Sequence, residues 1–188
     1  MQIQLPITTY GMDILRRKTK SVLDIDGEIF ELVNNMMFTV RNADGIGLAA
    51  PQVNKDVSVA VIDISLIDEY KNYDPLILIN PVILENHGEI VLNEGCLSIP
   101  EVRGDVLRPE KIHLSYFDLN MKEHNREFEG LPARVIQHEI DHLNGKLFVD
   151  YLNEEDLKKN KVLLKKIRNG KIETEYPLYN PKENKMNQ

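Results

Sequence analysis

Two histidines that flank Glu139 at a spacing of four residues constrain this chain more than any other feature. His138 and His142 are the first and last residues of the segment His-Glu-Ile-Asp-His. On an α-helix, residues four apart lie on one face, so the two imidazoles can bind one divalent metal. Glu139 then lies beside that metal, where its carboxylate can accept a proton from water and pass it to a leaving group. The pattern predicts a helix that carries a hydrolytic metal site.

The third ligand has to come from elsewhere in the chain, because hydrolytic metal sites usually combine three protein ligands with one open position. No histidine follows Gly145, so the downstream histidine of the metzincin pattern is missing. Cys96 is the single cysteine and lies in the segment Glu-Gly-Cys-Leu-Ser. A thiolate beside two imidazoles suits iron, zinc, cobalt or nickel, which makes Cys96 the candidate. A small buried hydrophobe is the other interpretation of a lone cysteine, and the polar surroundings argue against it.

Residues 45–52, Gly-Ile-Gly-Leu-Ala-Ala-Pro-Gln, contain the Gly-x-Gly-x-x-Ala pattern of some dinucleotide-binding proteins. That pattern has to follow a strand and begin a helix, whereas here a helix is predicted before it and Pro51 comes directly after it. The small residues better suit a backbone edge that pairs with an extended peptide, and the Gln52 amide can donate a hydrogen bond to an oxyanion. A tight turn is the structural alternative.

The remaining periodicity predicts an α+β fold. Apolar residues recur at helical spacing over residues 28–40, and β-branched runs predict strands at residues 57–62, 76–79, 82–84 and 112–117. Short spacings between these strands favour antiparallel sheets. Gly-Leu-Pro at residues 130–132 predicts the start of the metal-binding helix, and Asn144 with Gly145 predicts its end. We expect one catalytic domain over residues 1–188, with antiparallel β-sheets surrounding a central metal-binding helix.

Charge divides the chain into an acidic body and a basic C-terminal part. The formal charge is −7 overall, whereas residues 151–188 contain nine Lys and Arg against six Asp and Glu. Asn153 can cap a C-terminal helix that ends before Gly170. Its apolar side would be formed by Leu157, Leu164 and Ile167. Residues 181–188 are predicted to be a polar, frayed end.

Composition also limits where in the cell the protein would act and which classes of partner it would bind. The negative charge argues against general or sequence-specific binding of nucleic acid. A single cysteine excludes an internal disulfide and fits a reducing compartment. No apolar run approaches membrane length, and the first six residues, Met-Gln-Ile-Gln-Leu-Pro, lack the regions of a signal peptide. We therefore expect a cytoplasmic protein without membrane contact.

Three segments resemble, in this order, the signatures of the bacterial peptide deformylases. They are the loop at residues 45–52, the Glu-Gly-Cys-Leu-Ser segment around Cys96 and the His-Glu-Ile-Asp-His helix. The resemblance extends from Tyr10 and Gly11 to about Asp150. It implies an α+β fold and an enzyme that removes the N-formyl group from the methionine at the start of new polypeptides.

The resemblance also implies a role for each candidate residue. The metal ligands would be Cys96, His138 and His142. The general acid and base would be Glu139, and the formyl oxygen would be held by Gln52 and by the backbone N–H of Leu97.

An N-formylmethionyl peptide would pair with the edge at Ile46 and Gly47. By the same resemblance, the methionine pocket would be lined by Leu92, Leu131 and Val135. Arg134 departs from the family at a helix position that is often aliphatic, which affects the expected rim of the pocket.

The sequence leaves more than one possibility open for the metal and for the function. A Cys/His/His site with an open position fits iron(II), and zinc, nickel or cobalt could replace it. The lysines of the C-terminal helix either cover a solvated face or contact the ribosome, from which the substrate would emerge. A metallopeptidase that uses the same helix is one rival function. A non-catalytic metal-binding protein is the other, and the presence of Glu139 and Gln52 argues against it.

Overall fold

The computed structural model describes residues 2–180, so the predicted frayed end at residues 181–188 lies outside the described part. The α-helices are α1 Gly27–Asn42, α2 Gly130–Leu143 and α3 Glu154–Arg168. The strands are β1 Gly47–Ala49, β2 Val59–Ile62, β3 Leu76–His87, β4 Ile90–Cys96, β5 Ile99–Arg108, β6 Lys111–Phe117 and β7 Glu123–Glu129. Short 3-10 helices span Asp13–Arg16, Ala50–Val53, Asp68–Tyr70 and Phe148–Tyr151.

The strands form two antiparallel sheets. One sheet has five strands in the order β1-β2-β3-β6-β7, and the other is the β4-β5 hairpin. All of these strand pairs are antiparallel, which confirms the predicted α+β fold. The predicted strands at residues 76–79 and 82–84 are one strand, β3, with a shift of register between Ile79 and Val82. Asn80 lies in that shift with a φ of 49°, and its side chain makes two hydrogen bonds to the backbone of Val22.

Strand β2 separates two helices on opposite faces of the five-stranded sheet. Successive strand residues point to opposite faces, so Ala60 and Ile62 pack in the cluster that includes α2. Val59 and Val61 pack in the cluster that includes α1. A strand buried on both faces explains why residues 59–62 form a continuous apolar run.

Helix α2 is the centre of the fold. Ten of its fourteen residues are buried, including Ile136 and Ile140 against the five-stranded sheet. Gly145 follows the helix with a φ of 74°, and a Cβ there would lie 2.7 Å from the carbonyl carbon of Arg16. Glycine at this position therefore allows the chain to turn away directly after the metal-binding motif.

Helix α3 packs against strand β5 of the β4-β5 hairpin. The Asn153 side chain caps it by accepting a 2.9 Å hydrogen bond from the N–H of Asp156. Leu164 and Ile167 are buried beside Val106 of β5, whereas Leu157 is 37% exposed. The predicted apolar side of this helix is therefore buried only in its second half.

After α3, the chain returns to the N-terminal segment. Ile7 and Leu178 form a parallel bridge, and hydrogen bonds of 2.8 Å join Ile7 to Pro177 and to Tyr179. Within residues 2–180, none of the helices combines the length and the apolar character that crossing a bilayer requires.

Candidate active site

The three candidate metal ligands converge at one point. Cys96 ends β4, and His138 and His142 occupy one face of α2. One ligand atom from each of these residues lies within 4.8 Å of the other two. The Cys96 Sγ is 3.2 Å from the His142 Nε2. Helix α2 and the β4-β5 hairpin thus bring together residues as far apart in sequence as Cys96 and His142, which are separated by 46 positions.

This donor set fits a divalent metal. Burial and the positive charge of His138 lower the pKa of His142 well below its ordinary value, so this imidazole is neutral, the form that binds metals. Burial alone lowers the pKa of His138, but its hydrogen bonds to Cys96 and Glu94 outweigh burial and raise that pKa. Binding of a metal at this ring would therefore release a proton.

Glu94 orients the His138 ring through a hydrogen bond to its Nδ1. Its Oε2 lies 2.8 Å from the His138 Nδ1, which leaves the Nε2 of that ring for the metal. Arg108 donates two hydrogen bonds to the same carboxylate, at 2.6 and 3.0 Å, and Arg134 donates one at 2.8 Å. Arg108 also donates to Asp141 at 2.6 Å, within the metal-binding motif. The network therefore links three elements: β4, β5 and α2.

The charges in this network are buried and compensated. Glu94 and both arginines are each 5% exposed at the side chain. Burial raises the pKa of Glu94, but its hydrogen bonds from His138 and Arg108 outweigh burial and hold that pKa far below its ordinary range. The sequence analysis gave Glu94 no role. A signal was nevertheless available, because Glu94 is the first residue of the Glu-Gly-Cys-Leu-Ser segment and lies two residues before Cys96.

Arg134 belongs to this network and does more than border the pocket. Its guanidinium also donates to the backbone carbonyls of Val106 and Ile90, at 2.8 and 2.5 Å. Arg134 is 4% exposed. Arg134 therefore adds a second cation beside the Glu94 carboxylate.

Glu139 points into the site beside the ligands and is 2% exposed. Burial raises the pKa of this carboxyl to about 7, so it can both accept and release a proton near neutral pH. A Cβ on Gly47 would overlap Glu139 and would lie 2.8 Å from the Val135 Cγ1. The absence of a side chain at Gly47 is thus what lets β1 approach the carboxylate.

The side-chain amide of Gln52 is oriented by contacts at both its oxygen and its nitrogen. Its Oε1 accepts a 2.7 Å hydrogen bond from the Ala49 N–H. Its Nε2 therefore faces the β4-β5 turn and lies 3.3 Å from the Ser98 Oγ and 3.5 Å from the Cys96 Sγ. Leu97 and Ser98 form that turn, so Gln52 and the Leu97 backbone border the same site.

A cavity of about 690 Å³ opens in front of these groups. The predicted substrate residues that line it are Ile46, Gly47, Leu131 and Val135. Leu92 is half-buried on β4 and is not among the residues that line this cavity, so its contact with the methionine side chain stays a prediction.

Strand β1 presents its backbone to the cavity. It is the edge strand of the five-stranded sheet. The Ile46 carbonyl accepts a hydrogen bond from the Asp63 N–H on the β2 side. Because antiparallel pairing alternates, the N–H and C=O of Gly47 point away from β2.

Comparison with known proteins finds one family. Residues 4–158 match the model of the family described as polypeptide deformylase. A peptide deformylase of Chlorobium phaeobacteroides (strain BS1) is 49% identical over 174 residues, which is 93% of this chain and 94% of the relative.

Two solved structures show the same fold. A peptide deformylase of Plasmodium falciparum has a TM-score of 0.82 and 37% identity, and the match covers 87% of this chain and 95% of the other. A peptide deformylase of Synechococcus elongatus, solved in complex with actinonin, has a TM-score of 0.76 and 44% identity, with 82% of each chain covered.

Replacing Gly47 with alanine tests how closely β1 approaches Glu139. The added Cβ would overlap the carboxylate, so we expect a loss of about 1–3 kcal/mol in the free energy of unfolding, measured by urea denaturation. Gly27→Ala is the matched control, because a Cβ at Gly27 meets nothing within 4 Å. Equal stability of the two variants would contradict this packing.

Proposed function

Because the chain belongs to the peptide deformylase family, we propose that it removes the N-formyl group from the N-terminal methionine of newly made polypeptides. It is a metal-dependent hydrolase, and we place its action in the cytoplasm, where such chains would be made. The observation that carries the proposal is the convergence of Cys96, His138 and His142 beside the buried carboxylate of Glu139.

Glu139 is the proton carrier in the proposed reaction. A divalent metal held by Cys96, His138 and His142 would supply Lewis-acid chemistry and lower the pKa of water. Glu139 accepts a proton as the water oxygen bonds to the formyl carbon. When the C–N bond breaks, Glu139 gives that proton to the departing amine, and formate is the other product.

Gln52 and Leu97 stabilise the charge that develops on the formyl oxygen. The Gln52 Nε2 is fixed by the contact of its Oε1 with the Ala49 N–H. The Leu97 N–H belongs to the β4-β5 turn, and the Gln52 Nε2 contacts the Ser98 Oγ of the same turn. Donors that are already oriented cost no reorganisation during the reaction, which is why they lower the barrier.

The substrate backbone pairs with β1 in this proposal. The outward N–H and C=O of Gly47 can hydrogen-bond an extended peptide, and Ile46 borders the same edge. The methionine side chain packs against Leu131 and Val135 at the start of α2. This arrangement places the formyl end beside Glu139.

A substrate comparison with a Glu139→Gln variant tests the function. We expect the wild-type chain to cleave formyl-methionyl peptides and to leave acetyl-methionyl and unblocked peptides intact. The variant should retain its metal while turnover falls by more than about a hundredfold, because the amide cannot carry the proton. Cleavage of ordinary peptide bonds would favour the metallopeptidase, and near-normal turnover in the metal-loaded variant would remove Glu139 from the mechanism.

We propose iron(II) as the metal in the cell. An iron(II) centre with a thiolate ligand can react with oxygen at both the iron and the sulfur, so activity in air should decay faster in the iron form than in a nickel form. Half-lives of the two forms in air, with anaerobic samples as the control, measure this difference. Equal half-lives in air would contradict the proposal.

The basic face of α3 is a proposed contact with the ribosome. Lys158 and Lys159 form ion pairs with Glu154 and Glu155 one turn earlier, at 3.4 and 3.1 Å. Such exposed pairs are weak and leave most of the positive charge available to phosphate. The other lysines of this face are Lys161, Lys165 and Lys166, and all five are exposed.

Charge reversal on α3 tests this contact. Replacing Lys158, Lys159, Lys165 and Lys166 with glutamate should weaken salt-sensitive co-sedimentation with ribosomes and leave hydrolysis of a free formyl peptide nearly unchanged. A control with the same charge change on other exposed lysines uses Lys18, Lys55, Lys71 and Lys122. Ribosome binding that is retained by the α3 variant at low salt, or lost equally in the control, would refute the contact.

A further inference from the structure

The C-terminal residues 171–180, which we call the return segment, form one wall of the cavity. Residues 173–176 line it, as do Leu131 and Val135 near the start of α2. The segment is anchored away from the cavity, where Ile7 donates to the Pro177 carbonyl and Tyr179 donates to the Ile7 carbonyl, both at 2.8 Å. It lies beyond residues 4–158, the part of the chain that matches the family model.

Tyr176 joins the return segment to the turn between β4 and β5. Its hydroxyl donates a 2.8 Å hydrogen bond to the Leu97 carbonyl. The ring is half-buried and packs in the same apolar cluster as the Leu97 side chain. Burial raises the pKa of the Tyr176 phenol to about 12, so the hydroxyl remains a donor at neutral pH.

The strand pairing is irregular next to this turn. The register of β4 against β5 shifts between Gly95 and Cys96, directly before the turn. Both carbonyls of the two-residue turn are instead held by other parts of the chain. Tyr176 contacts the Leu97 carbonyl, and the Tyr10 N–H donates a 2.9 Å hydrogen bond to the Ser98 carbonyl. These contacts restrict rotation of the neighbouring peptide group, which carries the Leu97 N–H.

We propose that Tyr176 is a positioning residue of the active site, which holds Leu97 so that its N–H stays directed at the formyl oxygen. This rests on the proposed function, in which that N–H stabilises the oxyanion. Tyr176 acts through the Leu97 carbonyl and needs no contact with the substrate. An oriented donor lowers the barrier to reaction more than it strengthens binding of the ground state.

Tyr176→Phe removes the hydroxyl and keeps the ring. We expect kcat to fall roughly threefold to tenfold and KM to stay within about twofold, because one hydrogen bond that orients a transition-state donor is lost. Metal content should stay at the wild-type value, and the midpoint of thermal unfolding should fall by no more than about 4 °C, the effect of one lost hydrogen bond. Tyr179→Phe is the matched control, because Tyr179 holds the return segment through its backbone N–H.

Hydrogen exchange provides a second readout that needs no turnover. Amides of residues 95–99 should exchange faster in Tyr176→Phe than in the wild type and in the control. Unchanged exchange and unchanged kcat would overturn the proposal, and so would an equal loss of kcat in Tyr179→Phe. A wild-type chain that leaves formyl peptides intact would refute the proposed function instead, and the exchange comparison would still test the hold of Tyr176 on the turn.

Discussion

The buried carboxylate of Glu94 is the interaction on which the rest of the site depends. It orients His138 on α2 and is itself held by Arg108 from β5 and Arg134 from α2. Removing one partner from such a buried network typically costs about 3–5 kcal/mol, because the remaining charges stay buried and uncompensated. The hairpin that carries Cys96 and the helix that carries both histidines are therefore joined directly behind the metal site.

The proposed chemistry depends on contacts that orient His138, Glu139 and Gln52. Glu94 orients His138 through the Nδ1 of that ring, and the missing side chain at Gly47 allows the edge of β1 to approach Glu139. Gln52 is held by the Ala49 N–H on the same side as β1. The proposed ligands and oxyanion donors thus come from β4 and the turn that follows it, from α2 and from the 3-10 helix after β1, and none of them depends on a long loop.

The sequence predicted the parts of the site that have short-range signals. Residues four apart on a helix share a face, so His138 and His142 could be placed together without a structure. The role of Glu94 could not be predicted, because its partners come from β5 and α2 and no periodicity marks a buried arginine. Strand β7 escaped prediction for a similar reason, since its sequence Glu-His-Asn-Arg-Glu-Phe-Glu is almost entirely polar.

X-ray absorption spectroscopy of the zinc-loaded chain tests the central claim most directly, because it identifies the atoms bound to the metal. If Cys96, His138 and His142 bind one ion, the spectrum should contain one sulfur at about 2.3 Å and two imidazole nitrogens at about 2.0–2.1 Å. The sulfur contribution should disappear in a Cys96→Ser variant. A wild-type spectrum that contains only nitrogen and oxygen neighbours would contradict the claim.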